Sequence, residues 1–444
     1  MAFLQCREAV ERVIRGNAPA LSKAQISQVI SFARISLIVG LVFLHYQRFP
    51  DSDNSPFVGM EVAQHPVASF VNSFALFFFF SVVPLLSMVS GWLFFSFDAN
   101  TAAASLRQRM RRRITSLYLP LVVWNAMFLA VLALLFVWHP NHPLLAEMNI
   151  HFDSARLPDY VNAIFAVTRH PVGFQFWFVR DLLVTALISP LLWLSLRHTP
   201  YLGMAVLGVA WLIGNNLVIF FRTDVAFFFY LGGFVRLRQI PLHIGRKTAW
   251  WLLLAYLGVV TLRTLAPLAL DLSSHRPELL TAATRAMRLL GVVACWSIFL
   301  QLALTRVGAI VAGYGGLAFF LHAAHYPLLA EVKILLWHLV PAQTDGWLIA
   351  HYLASVTITV TIGMGAGVLL SRKAPSWFAL MNGGRPGMAP PVVAAEPSPP
   401  VDLPAAPESA PRSPRPVASE HATVETTALP DPLADPLATR PQAD

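Results

Sequence analysis

Charge is scarce in this chain. Only 12% of its residues are Asp, Glu, Lys or Arg, while 56% are hydrophobic; the charged share is about half that of an ordinary soluble domain. That balance excludes a soluble globular enzyme. Cysteine is scarcer still: Cys6 stands in a polar N-terminal stretch and Cys295 in an apolar run, so neither a disulfide framework nor a cysteine metal site is expected. Also missing are a Gly-rich phosphate loop, a carboxylate-rich metal motif and an internal repeat. A formal net charge of +9 would suit a nucleic-acid partner, but the basic residues cluster at the ends of apolar segments instead of forming a stripe. They read as topology signals, and no nucleic-acid partner is expected.

What the chain has is apolar runs. Stretches long enough to cross a bilayer recur at 28–48, 70–96, 115–138, 176–196, 201–220, 224–237, 248–270, 286–305, 313–339 and 347–371, a count of about ten by hydropathy, with 224–237 the shortest. The expected fold is all-α, a polytopic membrane bundle. Lys and Arg concentrate in the even-to-odd connections and at both ends, including "RQRMRRR" at 107–113, which predicts both termini in the cytoplasm of a multi-pass protein of the cell's inner membrane. The connections at 49–69, 139–175 and 271–285 then lie outside. Residues 1–27 carry six charged side chains and no apolar core with a cleavage site, so the first span is expected to serve as an uncleaved insertion signal. The division that follows is a cytoplasmic segment 1–27, a transmembrane domain 28–371, a cytoplasmic closing segment 372–385 and a disordered Pro/Ala-rich tail 386–444.

Four stretches put polar residues where they are costly. In "ARISLIVGLVFLHYQ", residues 33–47, Arg34 and His45 are eleven positions apart. On an α-helix that is about three turns, so the two side chains share a face about 16 Å apart along the axis. Snorkelling to the two headgroup layers is the bland alternative. In "FQFWFVRDLLVTALISPLLW", residues 174–193, Trp177 and Arg180 share a helical face, while Arg180 and Asp181 diverge and each needs a partner on another helix or in water. The bland account is an aromatic belt with interfacial charges; an arginine aimed into a cavity can instead orient an acceptor or stabilise an oxyanion. In "GYGGLAFFLHAAHYPLLAEVK", residues 313–333, His322 and His325 lie one turn apart ahead of Pro327, which is expected to kink the helix. No carboxylate or cysteine accompanies them at matching spacing, so hydrogen bonding inside the bundle is favoured over a metal. Lastly, Ser90-Gly91 sits in an apolar helix, where close packing through small residues suffices as an explanation. The 139–175 connection carries His139, His142, His151 and His170 with Glu147, Asp153 and Asp159 at irregular spacings, as in a solvated outer loop.

In combination these stretches resemble acyltransferase family 3, membrane proteins that O-acylate surface glycans and related acceptors. Arginine, ten residues and a histidine in the first span, here Arg34 and His45, is the most specific part of the match. "MVSGWLFF" is similar to the family's Ser-Gly helix, "RRITSLYLPLVVW" to its basic loop entering a proline-bearing span, and "FWFVRDLL" to its Trp-Phe-x-x-x-Leu segment. "FFLHAAHYPLL" is similar to its late histidine-proline motif, and "NGGR" at 382–385 to a closing motif of some members. The likeness covers roughly 24–385. One departure is Ser116, where many members keep Arg or Lys close before the proline, and no soluble hydrolase-like domain follows the bundle.

The resemblance implies an acyl donor, acetyl-CoA, at the cytoplasmic face, an acceptor glycan hydroxyl reaching the site from outside, and further partners in polysaccharide biosynthesis. It makes His45 the general base or the transient acyl carrier, with Arg34, Arg180 and His325 as the other catalytic candidates. Trp177, Asp181, Tyr326 and Ser90 are the candidate acceptor contacts, and Arg109, Arg112 and Arg113 the candidate donor-phosphate contacts. A transporter or flippase also places buried Arg and His along a path, and a scaffold would act through its Pro-rich tail; the absence of matched Gly/Pro-interrupted helix pairs speaks against the transporter.

Overall fold

The computed structural model describes residues 21–50, 52, 55–269, 277–341 and 343–388; most of the segment 1–27, much of the 271–285 connection and nearly all of the 386–444 tail lie outside the described residues. Among these residues the regular structure is helical throughout, with no strand. Helix α1, Lys23–His45, begins where Ser22 Oγ accepts the Gln25 N–H and Gln25 Oε1 accepts the Ser22 N–H, a reciprocal cap that fixes the start of the span. It ends at His45, followed by Gln47 at φ +58°. Next come α2 (Pro66–Phe79) and α3 (Val82–Phe94), then the basic helix α4 (Ala102–Arg113), which runs through one π-type turn, Ile114–Tyr118, into α5 (Leu119–Trp138).

By length and apolarity, six helical stretches of the described residues are able to cross a membrane, and seven if a bent pair is one span. That is fewer than the expected ten. The predicted span 176–196 is the bent pair: α6 (Trp177–Leu187) and α7 (Ser189–His198) meet at 60°, with Pro190 opening the second piece. The predicted 201–220 and 224–237 become 14-residue helices, α8 (Pro200–Ile213) and α9 (Asp224–Leu237). At 1.5 Å per residue each is only about 21 Å long, short of the roughly 30 Å hydrocarbon layer. Helix α10 (Arg246–Thr264) is 19 residues long and falls below the same apolarity. The last long helices are α11 (Pro277–Ala303), α12 (Arg306–Gly313) continuing into α13 (Ala318–Leu339), and α14 (Asp345–Lys373), before the short α15 (Pro375–Met381).

Helix α9 is apolar because protein surrounds it. It lies against α3 with backbones nearly touching: a Cβ on Gly91 would stand 1.9 Å from the Phe229 carbonyl oxygen, and one on Gly232 2.0 Å from that of Met88. Only glycine allows this approach, which is the packing expected at Gly91. Phe228, Phe229 and Tyr230 are fully buried around that seam.

Candidate active site

Helix α13 is broken in its middle. Pro327 has no N–H, so the Ala323 carbonyl four residues earlier loses its helical donor, and Tyr326 leaves the helix for extended backbone (φ −128°, ψ 129°). The fully buried Gln175 supplies the donor. Its Nε2 gives hydrogen bonds to Ala323 O at 2.9 Å and Tyr326 O at 2.7 Å. The short turn Phe174–Phe176 is thereby pinned against the break, and the Phe174 ring lies edge-on to both Tyr326 (4.5 Å) and His45 (4.8 Å). The expected kink and its polar support arrive together.

Immediately before the break, His325 meets His45. His325 Nδ1 is 2.7 Å from the His322 carbonyl oxygen, an acceptor, so Nδ1 carries the hydrogen. In a neutral ring His325 Nε2 is then a lone pair, and it lies 2.7 Å from His45 Nδ1. His45 Nδ1 must be the donor there, so the ring's hydrogen bond is made through Nδ1 and the lone pair lies on Nε2. Both rings are buried. Two residues 280 positions apart in sequence thus fix a single tautomer whose basic nitrogen lies outside their bond.

Toward the other end of α1, Ser31, Arg34 and Ile38 line a cavity of about 300 Å³ together with Ser90, Leu117 and His322. Three guanidinium groups converge on it: Arg34, Arg113 and Arg385. Arg113 Nη2 donates to Ser90 Oγ at 2.9 Å, and Arg385 Nη1 to Ser116 O at 3.0 Å and Asn382 O at 2.8 Å. Among the described residues no carboxylate lines the cavity. Burial first, then the charges of Arg113 and Arg34, lower Arg385 to about 9, so the group is held charged against its surroundings and an anion is what would relieve it. At the cavity's inner wall His322 is buried with both ring nitrogens unpartnered, its ring 5.8 Å from that of His325. Ile38 is one helical turn above Arg34 on the stripe that ends at His45, so the cavity follows that stripe toward the histidine pair.

Other candidates are placed elsewhere. Arg180 and Asp181 were expected to find separate partners, yet the long arginine side chain folds back to pair with its neighbour at 2.9 Å. Arg180 also donates to the carbonyls of Ala166, Val167 and Ile219 and lies over Phe221, while Asp181 accepts the backbone N–H groups of Phe221 and Arg222. The two fasten the 166–167 and 219–222 connections to α6. Trp177 is buried with the Arg222 guanidinium 4.8 Å from its ring, and Tyr326 is buried at the break. Arg109 donates to the carbonyls of Leu93, Phe94 and Ser96, closing the C-terminal end of α3, and Arg112 is exposed outside the three-arginine cavity. Of the basic loop, the cavity receives Arg113.

Reading the sequence missed Arg385, Gln175 and Arg222. Arg385 had a signal, the "NGGR" match: Gly383 and Gly384 take φ +66° and +72°, and a Cβ on Gly383 would stand 2.2 Å from Ser116 O, so the two glycines let the chain double back and deliver the guanidinium. In the 139–175 connection, burial and the cations Arg180 and Arg222 lower His170. Among the described residues no group of three or more His, Cys, Asp or Glu side chains converges as a metal site would require.

The chain is similar to known proteins over this same region. Residues 28–371 match the acyltransferase domain model of acyltransferase family 3. The succinoglycan biosynthesis protein ExoH of Rhizobium meliloti (strain 1021) is 26% identical over 376 residues, covering 82% of this chain and 94% of the relative. No solved structure matches. Because the family match takes in both the His45–His325 pair and the Arg34–Arg113 side of the cavity, the chain belongs to acyltransferase family 3 and is a multi-pass membrane acyltransferase.

Proposed function

We propose that the protein transfers an acyl group, acetyl in the simplest case, from cytoplasmic acyl-CoA to a hydroxyl of an exported polysaccharide. The observation that carries this reading is the Nε2 lone pair of His45, left outside the His325 bond and held at one end of a stripe whose other end opens on three guanidinium groups. The arginines suit a donor rich in phosphate. The similarity to a succinoglycan biosynthesis protein favours a glycan acceptor. The charge pattern of the connections favours an inner-membrane protein with the Arg34 end and both termini cytoplasmic and the His45 end outward.

In this mechanism CoA phosphates lie against Arg34, Arg113 and Arg385, and the thioester reaches past Ile38 and His322. His45 Nε2 takes the proton of the acceptor hydroxyl as its oxygen attacks the thioester carbonyl. The positive charge that develops on His45 is shared with His325 through the Nδ1–H···Nε2 bond, and the His322 carbonyl holds His325 in the receiving tautomer. The C–S bond breaks, the ester forms, and the proton passes from His45 to the CoA thiolate. His322 lines the cavity with its ring nitrogens unpartnered, and its N–H is assigned to the thioester oxygen.

The test compares surface-polysaccharide acyl esters, by mass spectrometry, in cells carrying wild-type protein, His45→Ala and no protein, at matched membrane abundance. Loss of esters in the variant is expected; full acylation by His45→Ala would sink the proposal. Oriented vesicles check the topology: labelled acyl-CoA should be consumed from the cytoplasmic side, and consumption from the outer side alone would reverse it.

A further inference from the structure

A second cationic cavity, of about 340 Å³, lies at the His45 end of the bundle. Four arginines line it: Arg222 before α9, Arg263 at the end of α10, and Arg285 and Arg288 on α11. Among the described residues a single carboxylate, Asp224, faces them, paired with Arg222 at 2.9 Å and Arg288 at 3.1 Å. The cations are anchored without being neutralised. Arg263 donates to Thr284 Oγ1 and to the carbonyls of Phe57 and Val58, and Arg285 Nη1 donates to Leu212 O at 2.8 Å. These are neutral acceptors, so charge remains in excess.

Three buried polar atoms in the cavity's lining residues are left unpartnered: Arg288 Nε, Asp224 Oδ1 and Trp211 Nε1, in side chains 7%, 2% and 5% exposed. Buried donors and cations are costly without an acceptor. The unpartnered Arg288 Nε–H and Trp211 indole N–H, in a pocket lined by four guanidinium groups, are the donor set of a compact oxyanion, a carboxylate or a phosphate. The cavity is linked to the active-site helices through one residue. Arg222 bridges them, since it lies over Trp177, pairs with Asp224 and is within electrostatic reach of His45.

We infer that this cavity is an anion subsite for the acceptor, binding a carboxylate on the glycan or a phosphate on its carrier while a neighbouring hydroxyl is presented to His45. The assignment rests on the acyl-transfer reading for what the acceptor is, and on the cavity alone for the anion. Purified full-length protein, with saturating CoA present to occupy the three-arginine cavity, is titrated with D-glucuronate, with inorganic phosphate and with neutral D-glucose, and the thermal unfolding midpoint is followed. A saturable rise with glucuronate or phosphate and none with glucose is expected. A response to glucuronate alone identifies a sugar carboxylate, and to phosphate alone a carrier phosphate. Arg285→Gln and Arg222→Gln should each raise the half-saturating concentration about tenfold or more, whereas Arg112→Gln, exposed outside both cavities, should leave it unchanged. Arg285→Lys, which keeps the charge and loses the fork, should fall between and serves if the Gln variant does not fold. No saturable anion response in the wild type with CoA present, or a response unchanged in both cavity variants, would overturn the site. Acyl transfer is measured separately: transfer that fails while anion binding persists counts against the acyl-transfer mechanism and not against this cavity.

Discussion

Replacing Gln175 by Leu keeps its volume and deletes the amide that closes the break in α13. The deletion strands two carbonyls, Ala323 O and Tyr326 O, now bonded at 2.9 and 2.7 Å. If each bond were worth only the ~0.6 kcal/mol typical of side-chain hydrogen bonds in membrane proteins, the loss would be about 1 kcal/mol. Stranding buried carbonyls costs more, about 1–3 kcal/mol each, so about 2–6 kcal/mol for the pair. Gln175 is fully buried and Tyr326 nearly so, which leaves water no ready way to take over, and the larger range applies. Equilibrium unfolding in mixed micelles should therefore show Gln175→Leu destabilised by at least about 2 kcal/mol. Transfer should fall further than stability alone requires, because His322 and His325 occupy the turn that loosens. A variant within about 0.5 kcal/mol of wild type would refute the argument that Gln175 replaces the donor missing from Pro327.

The remaining expectations concern the two ends of α1 and the glycine seam. In CoA titrations Arg113→Gln and Arg385→Gln should each weaken binding about tenfold or more, while the exposed Arg112→Gln changes it little; equal effects of all three would remove the cavity from the donor site. His325→Phe should lower kcat about 100-fold or more with CoA affinity retained, and His325→Gln, whose side-chain oxygen accepts the His45 Nδ1–H, should recover part of it; identical losses would argue against tautomer control. Gly232→Ala puts a methyl 2.0 Å from Met88 O and should cost about 1–3 kcal/mol, whereas Gly258→Ala meets nothing within 4 Å and should be neutral or slightly stabilising. Thermal unfolding of the two glycine variants separates a packing requirement from mere helix propensity.

How much of this was legible in the sequence depends on the distance over which each feature is decided. The shared face of Arg34 and His45 follows from eleven residues of one helix, and the break at Pro327 from one residue type, so both could be read locally. The partner that fixes the His45 tautomer stands 280 positions away and could be named only as a residue of similar chemistry. Span counting failed for a different reason. Hydropathy measures apolarity without saying what supplies the apolar surroundings, and α9 is buried by Gly91, Gly232 and the aromatic side chains around them instead of by lipid length. The pairing of Arg180 with the adjacent Asp181 escaped because helix geometry separates their Cβ atoms, while a long guanidinium side chain has the reach to return.

Position 116 shows how a motif's charge can be kept when its residue is not. Many members of the family place a cation just before the proline of this span, and this chain has Ser116 there. The Arg385 guanidinium bonds to the Ser116 carbonyl at 3.0 Å, brought in from the closing segment by the Gly383–Gly384 reversal and by Asn382, whose Nδ2 donates to Gly316 O at 2.9 Å. Ser116 itself sits in the π-type turn that also carries Leu117 to the cavity wall. The cation is thus supplied by a segment that also packs on the 315–317 turn leading into α13, the helix of His322 and His325. In the proposed mechanism, donor charge and catalytic helix are therefore coupled through one short strap. Gly383→Val, which strains the left-handed backbone at φ +66° and collides with Ser116 O, should weaken CoA binding as Arg385→Gln does and in addition lower kcat at saturating CoA. If the valine variant instead matches Arg385→Gln in both constants, the strap delivers charge alone and the coupling to α13 is absent.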